Sequence, residues 1–177
     1  GMGVGQIEIG RLFEHGKEGR LYLQSLPNVA LIQTYSANNF VTDSAAAGTA
    51  LATGYKTNNQ MTGVTPDGTA VDSIVDLCQQ HGKKIGIVST NTVYDATPAA
   101  FTISAESRYS SAKIVEQLYA ADLDVLMGGG ASYFGPKKQK GVDYVQKFKD
   151  KGYTHVTTKQ ELKEAQGEKL LGLFHAS

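Results

Sequence analysis

Residues 41–59 read VTDSAAAGTALATGYKTNN, an Asp-Ser pair followed by a run of small residues and then by polar ones. Asp and Ser are favoured at the N-terminal cap of a helix, so a helix is predicted over Ser44–Thr53, beginning near Asp43 or Ser44. The alanines and the glycine within it bury little apolar surface. They would instead allow another backbone, a metal cluster or a substrate to approach the helix closely.

Ser44 has two interpretations at this point. A serine at the start of a helix lies beside exposed backbone N–H groups and the positive end of the helix dipole, an arrangement that suits a phosphate. A capped helix without chemistry accounts for Asp43 and Ser44 equally well, but it leaves the small residues unexplained. The residues of this stretch alone leave both possibilities open.

On either side of this stretch, the apolar periodicity switches between that of strands and that of helices. Strands are predicted at Val29–Tyr35, Lys84–Ser89, Leu123–Met127, Tyr153–Val156 and Leu170–Phe174. Besides Ser44–Thr53, helices are predicted at Val71–His81, Ala112–Ala120, Val142–Lys151 and Lys159–Ala165. This alternation predicts an α/β fold in which a mostly parallel sheet is sandwiched between helices.

The N-terminal third lacks this alternation and is predicted to be loosely structured. Gly1, Gly3 and Gly5 resemble a truncated glycine loop, but no strand precedes them, so a dinucleotide site has little support. A flexible end, or a leftover tag glycine before an initiator methionine, explains these glycines as well.

The composition excludes several classes of function. The chain has 177 residues, enough for one domain with a core, and 17 basic against 17 acidic residues give a net charge of zero. A neutral chain lacks the broad basic footprint of nucleic-acid binding. One cysteine excludes an internal disulfide framework. No run reaches the roughly 20 apolar residues of a membrane span, and the N-terminus lacks the features of a signal peptide.

Two further places carry candidate site residues. Asp95 and Thr97 follow the predicted strand Lys84–Ser89, and ligands of open α/β sheets gather beyond the carboxyl ends of strands. In an extended loop both residues could offer oxygens to a hard cation such as Mg²⁺, although an Asx-type turn before a proline explains the same spacing. Arg108 has the side chain best suited to bind a phosphate in a bidentate manner, but a lone arginine in a polar loop is usually just solvated.

The remaining metal-ligating and nucleophilic residue types are given no role in chemistry. The four histidines are His15, His81, His155 and His175, and none lies at metal-ligand spacing from another. Cys78 lies on the apolar side of its predicted helix and is interpreted as a core residue. The lysines at 137–140 are interpreted as a solvated loop.

Taken together, these stretches resemble the alkaline phosphatase family. The matching segments, in family order, are VTDSAAAGTALATGYKTNN at 41–59, DATPAAF at 95–101, SR at 107–108, DVLMGGGASYF at 124–134 and KLLGLF at 169–174. The resemblance covers essentially the whole chain. It implies an incomplete alkaline-phosphatase-like fold, with residues 1–177 as the N-terminal part of the catalytic domain and no internal boundary.

The resemblance also implies roles for individual residues. Ser44 matches the nucleophile that becomes phosphorylated and also binds zinc, and Asp43 matches the carboxylate beside it that helps hold the phosphate-binding arginine. Arg108 matches that arginine, which clamps the phosphate. Asp95 and Thr97 match the pair that serves the third metal site, usually magnesium. Many family members have His at the position of Asp95, and an aspartate favours Mg²⁺ because hard cations prefer oxygen ligands.

The implied activity is hydrolysis of phosphate monoesters through a covalent phosphoserine, with two Zn²⁺ ions and one Mg²⁺ ion as cofactors. A homodimer and a periplasmic or secreted location are implied for the parent protein, whose signal would lie upstream of Gly1. The chain departs from the family pattern because it begins just after the metal-bridging aspartate of the family and lacks the later half with most zinc ligands.

These departures leave two alternatives to a phosphomonoesterase. The isolated chain would be a catalytically incomplete fragment that folds, or that binds phosphate or metal weakly. The parent would otherwise be a phosphodiesterase or a sulfatase-like relative, although these often use Thr or a modified Cys where this chain has Ser44. A plain α/β binding module would leave the Asp-Ser pair and the small-residue helix unexplained.

Overall fold

The fold was analysed in a computed structural model that describes residues 3–177, so Gly1 and Met2 of the predicted glycine loop lie outside the described residues. The chain divides into two compact units, residues 1–33 and residues 34–177. Among the described residues, no helix is long and apolar enough to cross a membrane.

The first unit contains a helix, α1 (Val4–His15), and a short 3₁₀ helix at Tyr22–Ser25. Gly3 caps the start of α1 and Gly5 lies within it, so neither forms a glycine loop. The Arg11 guanidinium binds Glu8 and the carbonyl oxygens of residues 16, 17 and 19, which fixes the chain after the helix. The prediction of a loosely structured N-terminal third was therefore wrong for Val4–His15 and Tyr22–Ser25, whereas residues 26–43 contain no helix or strand.

The strand predicted at Val29–Tyr35 is absent from the structure. These residues adopt no regular structure, and their apolar side chains are exposed, Leu31 to 97%. An apolar run forms a strand only when a neighbouring backbone pairs with it. Within residues 3–177 no strand pairs with this segment.

The second unit is built on a four-stranded, fully parallel sheet in the order β1-β2-β4-β3. The strands are β1 (Gly86–Thr92), β2 (Val125–Gly129), β3 (Thr154–Val156) and β4 (Leu170–Leu173). In register, Val125 of β2 lies opposite Gly86 of β1 and Leu170 of β4. Together with the flanking helices, the sheet confirms the predicted α/β fold, and each strand begins within two residues of its predicted start.

The helices of this unit are α2 (Ser44–Thr53), α3 (Ile74–Gln80), α4 (Ala96–Thr102), α5 (Ser111–Ala120), α6 (Tyr144–Asp150) and α7 (Lys159–Glu164). The core against the sheet includes Ile114, Leu118, Leu126, Phe148 and Leu171, which are all fully buried. Apolar side chains at helical spacing on α5 and α6 therefore supply the covering layer. Burial of these side chains is the main free-energy gain of the fold.

Two local predictions need correction. The helix predicted from Val71 begins only at Ile74, because the Ser73 hydroxyl accepts hydrogen bonds from the N–H groups of Val75 and Asp76 and caps it there. The extended loop expected around Asp95 and Thr97 is instead the start of α4. Asp95 caps this helix, and Pro98 stands in its first turn, where a missing N–H costs nothing.

The exposure of Cys78 and of the lysines at 137–140 tests two further predictions. Cys78 is half-buried on α3, so it is less enclosed than a core residue. Lys137, Lys138 and Lys140 are exposed, as expected for a solvated loop.

The small residues of α2 allow this helix to pack closely on α4. Gly48 is buried, and a Cβ atom placed on it would lie 2.9 Å from the Ala100 Cβ and 3.7 Å from the Thr97 Cα. Real Cβ atoms do not approach one another so closely, so only glycine fits at this position. Of the three possibilities that the sequence left open for the small residues, the structure shows close approach of another backbone.

Replacing Gly48 with Ala should lower the free energy of unfolding by about 1–3 kcal/mol, because α2 and α4 must move apart to admit the methyl group. Gly5→Ala is a matched control, since Gly5 is also helical but has no heavy atom within 4 Å of the position that an added methyl group would take. That control should be neutral or stabilising by up to about 1 kcal/mol. Chemical denaturation of both variants checks the prediction, which is contradicted if Gly48→Ala is as stable as the control.

Candidate active site

The candidate site begins at the N-terminus of α2. The Asp43 carboxylate caps the helix, since its Oδ1 accepts a hydrogen bond of 2.9 Å from the Ala46 N–H. Ser44 is the first residue of the helix, and it is exposed. Its hydroxyl has no hydrogen-bond partner among the described residues. The helix start therefore presents a hydroxyl group to solvent beside unpaired backbone N–H groups.

Asp95 caps α4 as Asp43 caps α2. Its Oδ1 accepts a hydrogen bond of 2.7 Å from the Ala96 N–H, and its Oδ2 accepts one of 2.8 Å from the Asn91 side-chain amide. Asp95 follows the end of β1 at Thr92, so it lies beyond the carboxyl end of a parallel strand as expected. Thr97 lies in the first turn of α4 and is exposed.

Arg108 joins the two helix caps. Its Nη1 donates to the Asp43 Oδ2 at 3.2 Å, and its Nη2 donates to the Asp95 Oδ1 at 2.9 Å. The Arg108 side chain is only 18% exposed, against 24% for Asp43 and 36% for Asp95. One guanidinium therefore holds the N-terminal ends of α2 and α4 together through their capping carboxylates.

The charge of Arg108 is stabilised by this arrangement. Partial burial lowers the pKa of the guanidinium, but the hydrogen bonds from Arg108 to Asp43 and Asp95 outweigh that effect, and the pKa is raised above its ordinary value. Two carboxylates on one guanidinium leave the cluster with a net negative charge. A guanidinium has five N–H donors, so donors remain on Arg108 for a further ligand.

All five residues predicted for the site lie around these two helix starts. The structure brings Asp43, Asp95 and Arg108 into direct contact. Ser44 and Thr97 are placed by the same two helices, which pack on each other. What each residue does chemically is not decided by this placement and stays a prediction.

Sequence reasoning missed the residues that hold these carboxylates. The Asn59 side-chain oxygen accepts from the Asp43 N–H at 3.1 Å, and its amide donates to the Val41 carbonyl at 2.9 Å. The Gln60 N–H donates to the Asp43 Oδ2 at 3.0 Å. Asn91 holds Asp95. The presence of Asn59 and Gln60 in the same polar stretch as the Asp-Ser pair was the available signal.

The side chains of the described residues match the ligand preferences of magnesium better than those of zinc. Residues 3–177 contain no group of three or more His, Cys, Asp or Glu side chains that could hold a metal ion, so the described chain does not supply a set of zinc ligands. The Asp95 Oδ2 accepts only the Asn91 amide, which leaves a lone pair on a hard oxygen. The oxygens of Asp95 and Thr97 are of the type that Mg²⁺ prefers, and their role as magnesium ligands stays a prediction.

Comparison with known proteins decides the family. The sequence model of the alkaline phosphatase family matches residues 1–177. The chain belongs to the alkaline phosphatase family. This confirms the family resemblance that the sequence analysis drew from the Asp-Ser stretch and the segments after it.

Relatives of this chain are found in bacteria and vertebrates. It is 45% identical over 141 residues to alkaline phosphatase 4 of Bacillus subtilis, a match that covers 76% of this chain and 30% of that protein. It is 35% identical to the human tissue-nonspecific isozyme over 184 aligned positions, which cover 86% of this chain and 35% of that protein. The chain thus spans about a third of the length of these relatives.

Solved structures support the same fold. The cold-active alkaline phosphatase of Shewanella sp. superposes with a TM-score of 0.89 at 34% identity, over 99% of this chain and 44% of that one. A histidine-to-aspartate variant of the TAB5 alkaline phosphatase, with Mg bound in its M3 site, superposes with a TM-score of 0.85 at 34% identity, over 96% and 49% of the two chains.

Replacing Asp43 separates its capping role from its ion pair. Asp43→Ala removes both and should lower the free energy of unfolding by about 1–2 kcal/mol, since helix caps contribute that much. Asp43→Asn keeps a capping oxygen for the Ala46 N–H but loses the oxygen that accepts from the Gln60 N–H and from Arg108. It should lose less than Asp43→Ala, because a partly exposed ion pair contributes little. Urea denaturation of the two variants checks this, and equal losses would show that the charge of Asp43, not its cap, stabilises the helix start.

Proposed function

We propose that this chain carries the nucleophile and the phosphate-binding arginine of a metal-dependent phosphomonoesterase. The observation that supports this proposal is the contact of Arg108 with the caps of both helices, one of which begins at the exposed Ser44. Family membership supports the reaction class, and the geometry supports the division of labour among the residues. The substrates are small-molecule phosphate monoesters.

Ser44 is the proposed nucleophile. Its Oγ attacks phosphorus, the bond from phosphorus to the ester oxygen breaks, and the alcohol leaves with a proton. Water then attacks the phosphoserine, which releases inorganic phosphate and restores the hydroxyl. Free backbone N–H groups and the dipole at the start of α2 favour the negative charge of the phosphoryl group throughout.

Arg108 is the proposed clamp for the phosphate. A guanidinium binds two phosphate oxygens in a bidentate manner and stabilises the charge that spreads over them in the transition state. Asp43 and Asp95 hold it in place before a substrate arrives, so the side chain loses little conformational freedom on binding. Asp43 therefore acts on the reaction through Arg108.

Magnesium is proposed at Asp95 and Thr97. The carboxylate and the hydroxyl are hard oxygen ligands, and Asp95 in place of a histidine favours Mg²⁺ over softer ions. A bound metal ion would supply positive charge that stabilises the phosphoryl oxygens. Two zinc ions are proposed for the parent protein, with Ser44 as one ligand and the other ligands outside this chain.

Three further properties are proposed for the parent protein and for the isolated chain. The parent is exported to the periplasm or the medium, and it forms a homodimer. The isolated chain of 177 residues is inactive, because residues 3–177 do not supply a set of zinc ligands. Measuring zinc content and phosphatase rate on the purified chain tests the last point, and robust metal-dependent turnover would overturn it.

Ser44→Ala in the full-length protein should lower the rate of 4-nitrophenyl phosphate hydrolysis by several orders of magnitude, because no nucleophile remains at the start of α2. Ser111→Ala is the matched control, since Ser111 is also the first residue of a ten-residue helix but lies outside the site. It should retain normal turnover. Mass spectrometry after an acid quench should find phosphate on Ser44 in the unmodified protein and in Ser111→Ala, and no phosphate at this position in Ser44→Ala.

Unchanged turnover in Ser44→Ala would reject Ser44 as the nucleophile. The same assay with a phosphodiester and a sulfate ester separates the reaction classes. A higher rate on either would replace the phosphomonoesterase proposal with a phosphodiesterase or a sulfatase-like activity.

Asp95→His should weaken activation of the full-length protein by Mg²⁺ and strengthen its activation or inhibition by Zn²⁺, because an imidazole replaces a hard oxygen ligand. Titration of the metal-depleted protein with each ion measures the two affinities. Lys140→His in an exposed loop is the control for non-specific binding of metal by a new histidine. Equal Mg²⁺ affinity in Asp95→His and the unmodified protein would place magnesium elsewhere.

A further inference from the structure

The backbone of Gln60 contacts both Arg108, the proposed phosphate clamp, and Asp43, one of the carboxylates that hold it. Its N–H donates to the Asp43 Oδ2 at 3.0 Å, and its carbonyl oxygen accepts from the Arg108 backbone N–H at 2.7 Å. The same Asp43 oxygen also accepts from the Arg108 guanidinium. One residue of the loop after α2 thus closes a ring of hydrogen bonds with Asp43 and Arg108.

Gln60 adopts a conformation that side chains disfavour. Its φ is +76°, in the left-handed region that glycine occupies readily and other residues seldom do. Such a conformation persists only where its surroundings determine it. Here Gln60 lies in a turn that is closed by a hydrogen bond of 3.2 Å from the Met61 N–H to the Asn58 carbonyl. The turn is held on one side by Asn59, whose backbone N–H donates to the Asn38 side chain, and on the other by Thr62, which exchanges two backbone hydrogen bonds with Ala105.

The side chain of Gln60 does not explain this strain. It is exposed, and it has no hydrogen bond to any described residue. The two hydrogen bonds to Asp43 and Arg108 come from the backbone, which makes both of them in the left-handed conformation. The contribution of Gln60 is therefore the path of its main chain.

We propose that the backbone of Gln60 positions Arg108, the phosphate clamp. This inference rests on the proposed function. Gln60 fixes the backbone of Arg108 against the carboxylate of Asp43, so that the guanidinium stays beside the start of α2. An arginine side chain has many rotamers, and one anchored at its backbone and at both guanidinium ends keeps few of them. Loss of the peptide contact should loosen the clamp without removing any proposed catalytic side chain.

The test changes the preference of residue 60 for this conformation. Gln60→Val strongly disfavours a positive φ because valine is β-branched, whereas Gln60→Gly permits it fully. Lys140→Val is the matched control, because Lys140 also has a positive φ, of 53°, but lies in an exposed loop outside the site. It carries the same kind of backbone strain without contact to Asp43 or Arg108.

In the full-length protein, Gln60→Val should lower kcat/KM for 4-nitrophenyl phosphate by about tenfold or more and weaken inhibition by inorganic phosphate. Gln60→Gly and Lys140→Val should stay within about threefold of the unmodified protein. If Gln60→Val lowers only the melting temperature, as Lys140→Val does, the role of Gln60 is structural and the proposal is overturned.

A second readout does not depend on activity. In the ¹⁵N-arginine-labelled full-length protein, the side-chain Nε–Hε signal of Arg108 is identified as the one that is lost in Arg108→Lys. The Arg108 signal should shift toward that of free arginine and exchange faster with water in Gln60→Val, but not in Gln60→Gly. An unchanged Arg108 signal overturns the positioning role. Absence of any monoesterase activity in the unmodified protein would instead reject the proposed function, and the Arg108 signal would still decide the positioning role.

Discussion

The site depends on the close packing of α2 against α4. Gly48 allows these helices to approach until a single methyl group would collide with Ala100, and this approach brings the two capping carboxylates within reach of one guanidinium. Arg108 could not bind Asp43 and Asp95 together if the helices stood a side chain further apart. The small residues of α2 thus serve the packing of α2 on α4. They affect the site only because this packing sets the distance between the two capping carboxylates.

Each capping aspartate serves two structural purposes at once. It satisfies a backbone N–H at the start of its own helix, and it holds Arg108. Each carboxylate is held by its own helix start as well as by the arginine, so the guanidinium lies between two anchored acceptors. The starts of α2 and α4, rather than the sheet, therefore hold the guanidinium in position.

The sequence predicted the parallel sheet and α2 well because both follow from local patterns. Ser44–Thr53 matched its prediction at both ends, since Asp43 and Gly54 are strong start and stop signals. Val29–Tyr35 was wrong because a strand is made by its neighbours, which periodicity does not report. The whole of α4 was missed because Asp95 before Thr97 and Pro98 was interpreted as an extended loop or an Asx-type turn, although an N-cap followed by a first-turn proline has the same spacing.

The polar stretch after α2 signals that supporting residues lie there, but the sequence pattern does not identify which of them contact the site. Asn59 and Gln60 lie sixteen and seventeen positions after Asp43, in a loop whose path is fixed by long-range hydrogen bonds to residues 38 and 105. Sequence composition marks such a loop as polar but carries no sign of a left-handed residue that is not glycine. The left-handed backbone of Gln60, beside the capping carboxylates of α2 and α4, is therefore visible only in the folded chain. The left-handed residue is set both by the turn from Asn58 to Met61 and by the contacts of Gln60 with Asp43 and Arg108.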